Sequence, residues 1–226
     1  MEFLGFTNND FDFFKKKSMM DKAEYNERRE EVKRHFRELC YQIQKNYHSL
    51  TGGTLLLDKD FHGLAKNKAY IYAFSKMDDT DVFGLYIMLG KDSLNINLCC
   101  PYDGNPVKFQ ELKGIINDNK DKFAKFFKEN KNMHIELFSR NYKKQGEDGW
   151  TEEFKYTNNE LNQGDYNNLI KNMEKLQPDP LDDKNLAGLR ICTIVSKPDA
   201  IKLGNALSLK LCKDIIRLIK LCGDIF

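Results

Sequence analysis

No stretch of this 226-residue sequence approaches the roughly 18 consecutive apolar residues that a membrane-spanning helix needs, so no membrane association is expected. The six cysteines, Cys40, Cys99, Cys100, Cys192, Cys212 and Cys222, form no C-x-x-C pair. The ligand spacing of a structural zinc site is therefore missing, and buried, reduced thiols are expected instead. Neither charge sign dominates. With 36 Lys plus Arg against 34 Asp plus Glu the net charge is +2, and attention moves to local clusters. The phosphate-loop, dinucleotide-binding, H-E-x-x-H and G-x-S-x-G patterns are all absent, which removes support for nucleotide hydrolysis, dinucleotide binding, zincin chemistry and the α/β-hydrolase triad. The opening residues carry acids and asparagines where a secretory signal needs basic and then apolar residues. A cytoplasmic protein is expected.

What is present is a substantial apolar and aromatic content, 41% and 12%, enough for a real core. Residues 8–17 predict a short helix capped by Thr7, with Phe11 and Phe14 on one face. A long helix is predicted over residues 21–49. Its apolar positions Val32, Phe36, Leu39, Cys40, Ile43, Tyr47 and Leu50 step by 4, 3, 1, 3, 4 and 3, the period of a helix with one buried face. Gly52-Gly53 stops it. The aromatic and branched runs at 69–75 and 81–89, the alternating run at 93–100 and the short apolar run at 54–57 predict three or four antiparallel strands. Gly90-Lys91-Asp92 suits a hairpin turn.

Further along, a helix is expected from about 107 to 130 with a break near Asn117. Strands follow at 133–139 and 150–156, then a helix at 161–176 and a buried strand at 189–195. Ser196, Pro198 and Asp199 form a helix start, and the closing helix is expected to run on to about Cys222. No repeat or low-complexity linker is visible. The fold class is α+β: a central, mainly antiparallel sheet of about five to seven strands, flanked by a long N-terminal, a middle and a C-terminal helix. One domain covers 1–226, with 1–20 an N-terminal appendage and the apolar helix at 197–226 a junction or interface to a further domain or partner subunit.

Charge is locally uneven. Basic clusters sit at Lys15-Lys16-Lys17, at Lys120, Lys122, Lys125, Lys128 and Lys131, and at Arg140, Lys143 and Lys144. His134-Ile135-Glu136 matches half of a zinc deaminase motif, but the P-C-x-x-C half is missing. E-x-K, the metal-holding element of PD-(D/E)-x-K nucleases, occurs at Glu31, Glu111, Glu129 and Glu153. Only Glu153-Phe154-Lys155 lies on an expected strand, and its partner carboxylate, Asp103 or Asp148, is arbitrary. Two segments mix basic, amide and aromatic residues at element ends: 61–72 (FHGLAKNKAYIY) and 140–150 (RNYKKQGEDGW). Lys66, Lys68, Arg140, Lys143 and Lys144 suit phosphate neutralisation. Asn67 suits a base edge, and Tyr70, Tyr142 and Trp150 supply rings for stacking.

The order of these signals resembles two families. Gly5-Phe6-Thr7-Asn8-Asn9-Asp10-Phe11, the helix at 161–176, the strand at 188–195 and Lys197-Pro198-Asp199-Ala200-Ile201 resemble the uncharacterised YktB-like domain. Lys66-Asn67-Lys68 ahead of the 69–74 strand, the runs 84–89 and 94–98, the 134–138 strand and the 158–176 helix resemble the N-terminal DNA-binding domains of McrB-like restriction proteins. That second likeness implies recognition of modified DNA on behalf of a separate motor and nuclease. The expected function is thus a DNA-binding target-recognition module of a restriction or defence system, with DNA as partner and no catalytic residue, metal or cofactor of its own. The alternatives are a metal-dependent PD-(D/E)-x-K nuclease and a protein-interaction domain.

Overall fold

A computed structural model describes residues 2–58, 69–76, 83–101, 105–141, 150–161, 166–176 and 185–225. Among them are eight helices and six strands: α1 (Asn8–Lys16), α2 (Lys22–Thr51), β1 (Tyr70–Lys76), β2 (Gly84–Gly90), β3 (Ser93–Cys100), α3 (Pro106–Asp118), α4 (Lys120–Glu129), β4 (Met133–Asn141), β5 (Trp150–Tyr156), α5 (Asn158–Leu161), α6 (Asn167–Lys175), β6 (Asn185–Ser196), α7 (Lys197–Leu203) and α8 (Ala206–Ile225). The strands form one antiparallel sheet in the order β1-β2-β3-β6-β4-β5, giving the α+β class. No helix among the described residues is long and apolar enough to cross a membrane.

The chain separates into two compact units, 1–75 with 86–96 and 194–217, and 76–85 with 97–193 and 218–226. In the first, Asp21 caps α2 by accepting from the Glu24 backbone N–H at 2.9 Å. The helix buries Val32, Phe36, Leu39, Cys40 and Ile43 of the stripe that the 3–4 spacing predicts, while Tyr47 is half-buried and Leu50, in the last turn, is exposed. Each such side chain contributes about 1.5–3 kcal/mol when fully buried. Gly52 ends the helix in the left-handed region at φ 72°, its N–H donating to the His48 carbonyl, a conformation that side chains resist. Thr7 opens α1, its N–H and hydroxyl both donating to Asp10 Oδ2 at 2.7 and 3.0 Å. The 54–57 run is not a strand: Leu55 and Leu57 are buried and Leu56 is exposed, while the Asp58 N–H donates to the Phe74 carbonyl.

The closing helix is not continuous. Ser196 caps α7 as expected, accepting from the Asp199 N–H at 3.3 Å, but Gly204 at φ 53° interrupts it before α8 begins. The reason is a close backbone approach. A Cβ on Gly5, itself at φ 116°, would lie 2.7 Å from Gly204 Cα, so the two chain segments meet at a pair of glycines. Leu207, Leu211, Ile215 and Leu218 of α8 are fully buried in the molecule's own core.

In the second unit the middle helix breaks as expected near Asn117, at Asn119. Asn119 closes α3, its N–H and side-chain amide both donating to the Ile115 carbonyl, and its own carbonyl accepts from Lys122 and Phe123 at the start of α4. The helix expected over 161–176 is also two: α5 ends at Leu161 and α6 begins at Asn167 after the buried Tyr166. Residues 162–165, between the two, lie outside the described residues. Phe109, Leu112, Ile116, Phe123 and Phe127 from α3 and α4 are buried, as are Met133, Ile135 and Leu137 of β4.

Candidate functional site

Strand alternation sorts β4 into two faces. Met133, Ile135 and Leu137 share one, and His134, Glu136 and Phe138 share the other. The antiparallel registers decide what stands beside them. In β6, Cys192 lies opposite His134, Arg190 opposite Glu136 and Gly188 opposite Phe138. In β5, Lys155 lies opposite Glu136. Three strands therefore deliver a carboxylate, a guanidinium, an ammonium, an imidazole and a thiol to one patch.

Glu136 is its centre. It is 5% exposed, and four groups converge on its two oxygens. Oε1 lies 2.8 Å from His134 Nε2 and 3.4 Å from Lys155 Nζ. Oε2 accepts from Arg190 Nε at 2.5 Å and from the Cys192 thiol at 3.5 Å. Burial alone would raise the carboxyl's pKa, but the His134 hydrogen bond and the Arg190 charge outweigh it and hold Glu136 well below the usual carboxylate range. Burial has the opposite outcome at the thiols. Cys192 is pushed well above its ordinary value by burial and then by the Glu136 charge, and Cys99 rises to about 12, mainly through burial. Both are neutral thiols near neutral pH, without the thiolate that nucleophilic chemistry requires.

Donor atoms of His134, Glu136 and Cys192 lie within 4.8 Å of one another, a spacing compatible with a metal ion. The surrounding charge opposes one. The carboxylate is already shared between Arg190 and Lys155, and a divalent cation would enter next to both. Glu136, Arg190 and Lys155 form an ion-pair network, to which His134 and the Cys192 thiol add hydrogen bonds. Phe138 borders it, its ring 5.7 Å from Arg190 Cζ. Gly188 makes room for that ring: a Cβ there would lie 2.4 Å from Phe138 Cζ.

In the other compact unit, β1 alternates Ile71 and Ala73, both buried, against the half-buried Tyr70, Tyr72 and Phe74. Tyr86 of β2 joins the aromatic side. Ring centroids are 6.0 Å apart for Tyr70 and Tyr72, 5.7 Å for Tyr72 and Tyr86, and 4.8 Å for Phe74 and Tyr86. Burial, followed by the nearby Asp58 charge, raises the Tyr72 hydroxyl's pKa, so this ring stays neutral.

Of the nucleic-acid residues expected from sequence, Tyr70 opens this aromatic row. Arg140 and Trp150 are opposite each other in the β4–β5 ladder. Lys66, Asn67, Lys68, Tyr142, Lys143 and Lys144 lie outside the described residues, as do Asp103 and Asp148. Glu153-Phe154-Lys155 is on a strand, but its two charged ends part: Glu153 accepts from the Ser139 hydroxyl at 2.6 Å while Lys155 pairs with Glu136. Sequence reasoning noted His134 and Glu136 together but missed Arg190. Its position across from Glu136 is a matter of strand register, 54 residues away along the chain, and no local pattern encodes it. Compared with models of known protein families and with curated proteins, the chain matches none.

Proposed function

We propose that the chain is a DNA-binding target-recognition module, serving a restriction or defence system and directed at modified DNA in the manner that its likeness to McrB-like domains implies. One observation carries the reading: a row of half-buried rings, Tyr70, Tyr72, Phe74 and Tyr86, occupies one side of β1 and β2. Aromatic side chains stack in a sequence-tolerant way on unpaired or extruded bases, at about 1–3 kcal/mol per base. Lys66, Asn67 and Lys68 precede Tyr70 by only a few residues in the chain. Covalent connection thus ties two phosphate-neutralising cations and one amide to the stacking row. A second support is the chain between the paired Arg140 and Trp150, in which Tyr142, Lys143 and Lys144 follow one another in sequence.

Fluorescence polarisation with plain and methylated duplexes tests the reading. The full chain binds at about 50 mM salt, prefers the methylated duplex, and loses about tenfold in affinity on Tyr70→Ala combined with Tyr72→Ala. Failure to bind either duplex at that salt overturns the proposal. Unchanged affinity in the folded double variant overturns the role of the aromatic row.

A further inference from the structure

The Glu136 patch has an outward side. The Arg190 guanidinium uses its Nε–H on Glu136. Among the described residues its two terminal NH2 groups donate to no protein acceptor, and they are not sealed from water. The Arg190 side chain is 28% exposed and that of Lys155 43%, against 6% for Glu136. The carboxylate thus sits beneath, and the two cations reach past it to solvent. Counting Glu136, Arg190 and Lys155, the patch carries +1 at neutral pH, because one negative charge is shared by two positive ones. Phe138 lies against the guanidinium, which limits the ways it can turn. An arginine held at Nε and open at its terminal edge is the arrangement that suits bidentate binding of an oxyanion.

We propose that Arg190 and Lys155 form a docking point for a phosphate group, that of a DNA backbone. The DNA assignment rests on the function proposed above, whereas the phosphate chemistry stands on the patch itself. Neither residue belongs to the two basic-aromatic segments, so this is an additional contact. Binding energy here would be largely sequence-independent, fixing orientation on the duplex rather than reading it.

Two measurements on the full chain separate the site from the wider reading. The first uses pyrophosphate alone as probe, following the Arg190 Nε–Hε signal by NMR. The expected result is a saturable shift that Lys155→Ala weakens at least about threefold, since one of two charge contacts is lost. No shift, or an equal shift at unrelated surface arginines, overturns the proposal whatever DNA does. The second measures duplex affinity against salt. Lys155→Ala and Arg190→Gln each lower affinity about fivefold and make the salt slope shallower by about 1. If the wild-type chain binds no DNA but pyrophosphate saturates the site, the DNA reading fails and the phosphate site stands, serving a free phosphate ligand. If DNA binds and neither variant changes affinity or slope, the backbone contact is overturned. Lys155 is the more exposed of the two cations, so its variant remains informative should the Arg190 variant fold poorly.

Discussion

At the scale of single residues, Glu136 is the group on which most local order depends. Its two oxygens accept from or pair with His134, Lys155, Arg190 and Cys192, so removing its charge leaves two cations without their shared counter-ion. Charge-assisted hydrogen bonds in partly buried settings set the cost, and Glu136→Gln is expected to destabilise the fold by about 2–3 kcal/mol at neutral pH. The pH dependence has a definite sign. The folded-state pKa lies below the unfolded one, for which the ordinary glutamate value is about 4.3. Between the two values the unfolded chain binds more protons, so the stabilisation is complete above about pH 4.3 and disappears as pH falls through the folded pKa. Urea unfolding of both proteins at pH 7 and pH 3 checks this. The gap between wild type and Glu136→Gln should narrow at the lower pH; a gap that stays constant or widens contradicts it.

At the scale of elements, chain breaks are made by particular residues with different physical tasks. Gly52 and Gly5 both have positive φ, at 72° and 116°. An added Cβ on Gly52 meets nothing within 4 Å, whereas one on Gly5 runs into the Gly204 backbone at 2.7 Å. Gly52→Ala should therefore cost only the left-handed strain, about 1 kcal/mol. Gly5→Ala adds a backbone collision and should cost at least about 2 kcal/mol more. Thermal unfolding of the two variants gives the comparison, and equal losses would contradict the close approach. The same contrast explains what could be read from sequence. The long helix, its stop at Gly52, the strand β3 and the Ser196 cap all rest on patterns within one or two turns of chain, and those elements are present, although the expected wet face of β3 is partly closed, with Asn97 and Cys99 buried. The division between α7 and α8 depends on Gly5, far away in sequence, and 161–176 reads as one apolar-periodic segment despite containing Gly164. The Glu136 patch was half legible. His134 and Glu136 share a strand face by alternation alone, but Arg190 and Lys155 arrive through the pairing of β4 with β6 and β5, which periodicity within each strand does not determine.

At the scale of the whole molecule, near-neutral total charge makes local arrangement decide any affinity for nucleic acid. The +2 net charge supplies little long-range attraction. Affinity must come from cations grouped along the chain, as at Lys66 and Lys68 or Arg140, Lys143 and Lys144, or brought together by strand pairing, as at Lys155 and Arg190. Of the apolar C-terminal helix, Leu207, Leu211, Ile215 and Leu218 are buried, whereas Leu209 is exposed. The most direct test is the salt dependence of binding between the full chain and a labelled duplex, from about 50 to 200 mM salt. The five cations of the two basic-aromatic segments together with Lys155 and Arg190, each displacing one counter-ion, predict that log K falls against log salt with a slope of about −6.3. A slope near zero, or no binding at the lowest salt, contradicts a DNA-binding role.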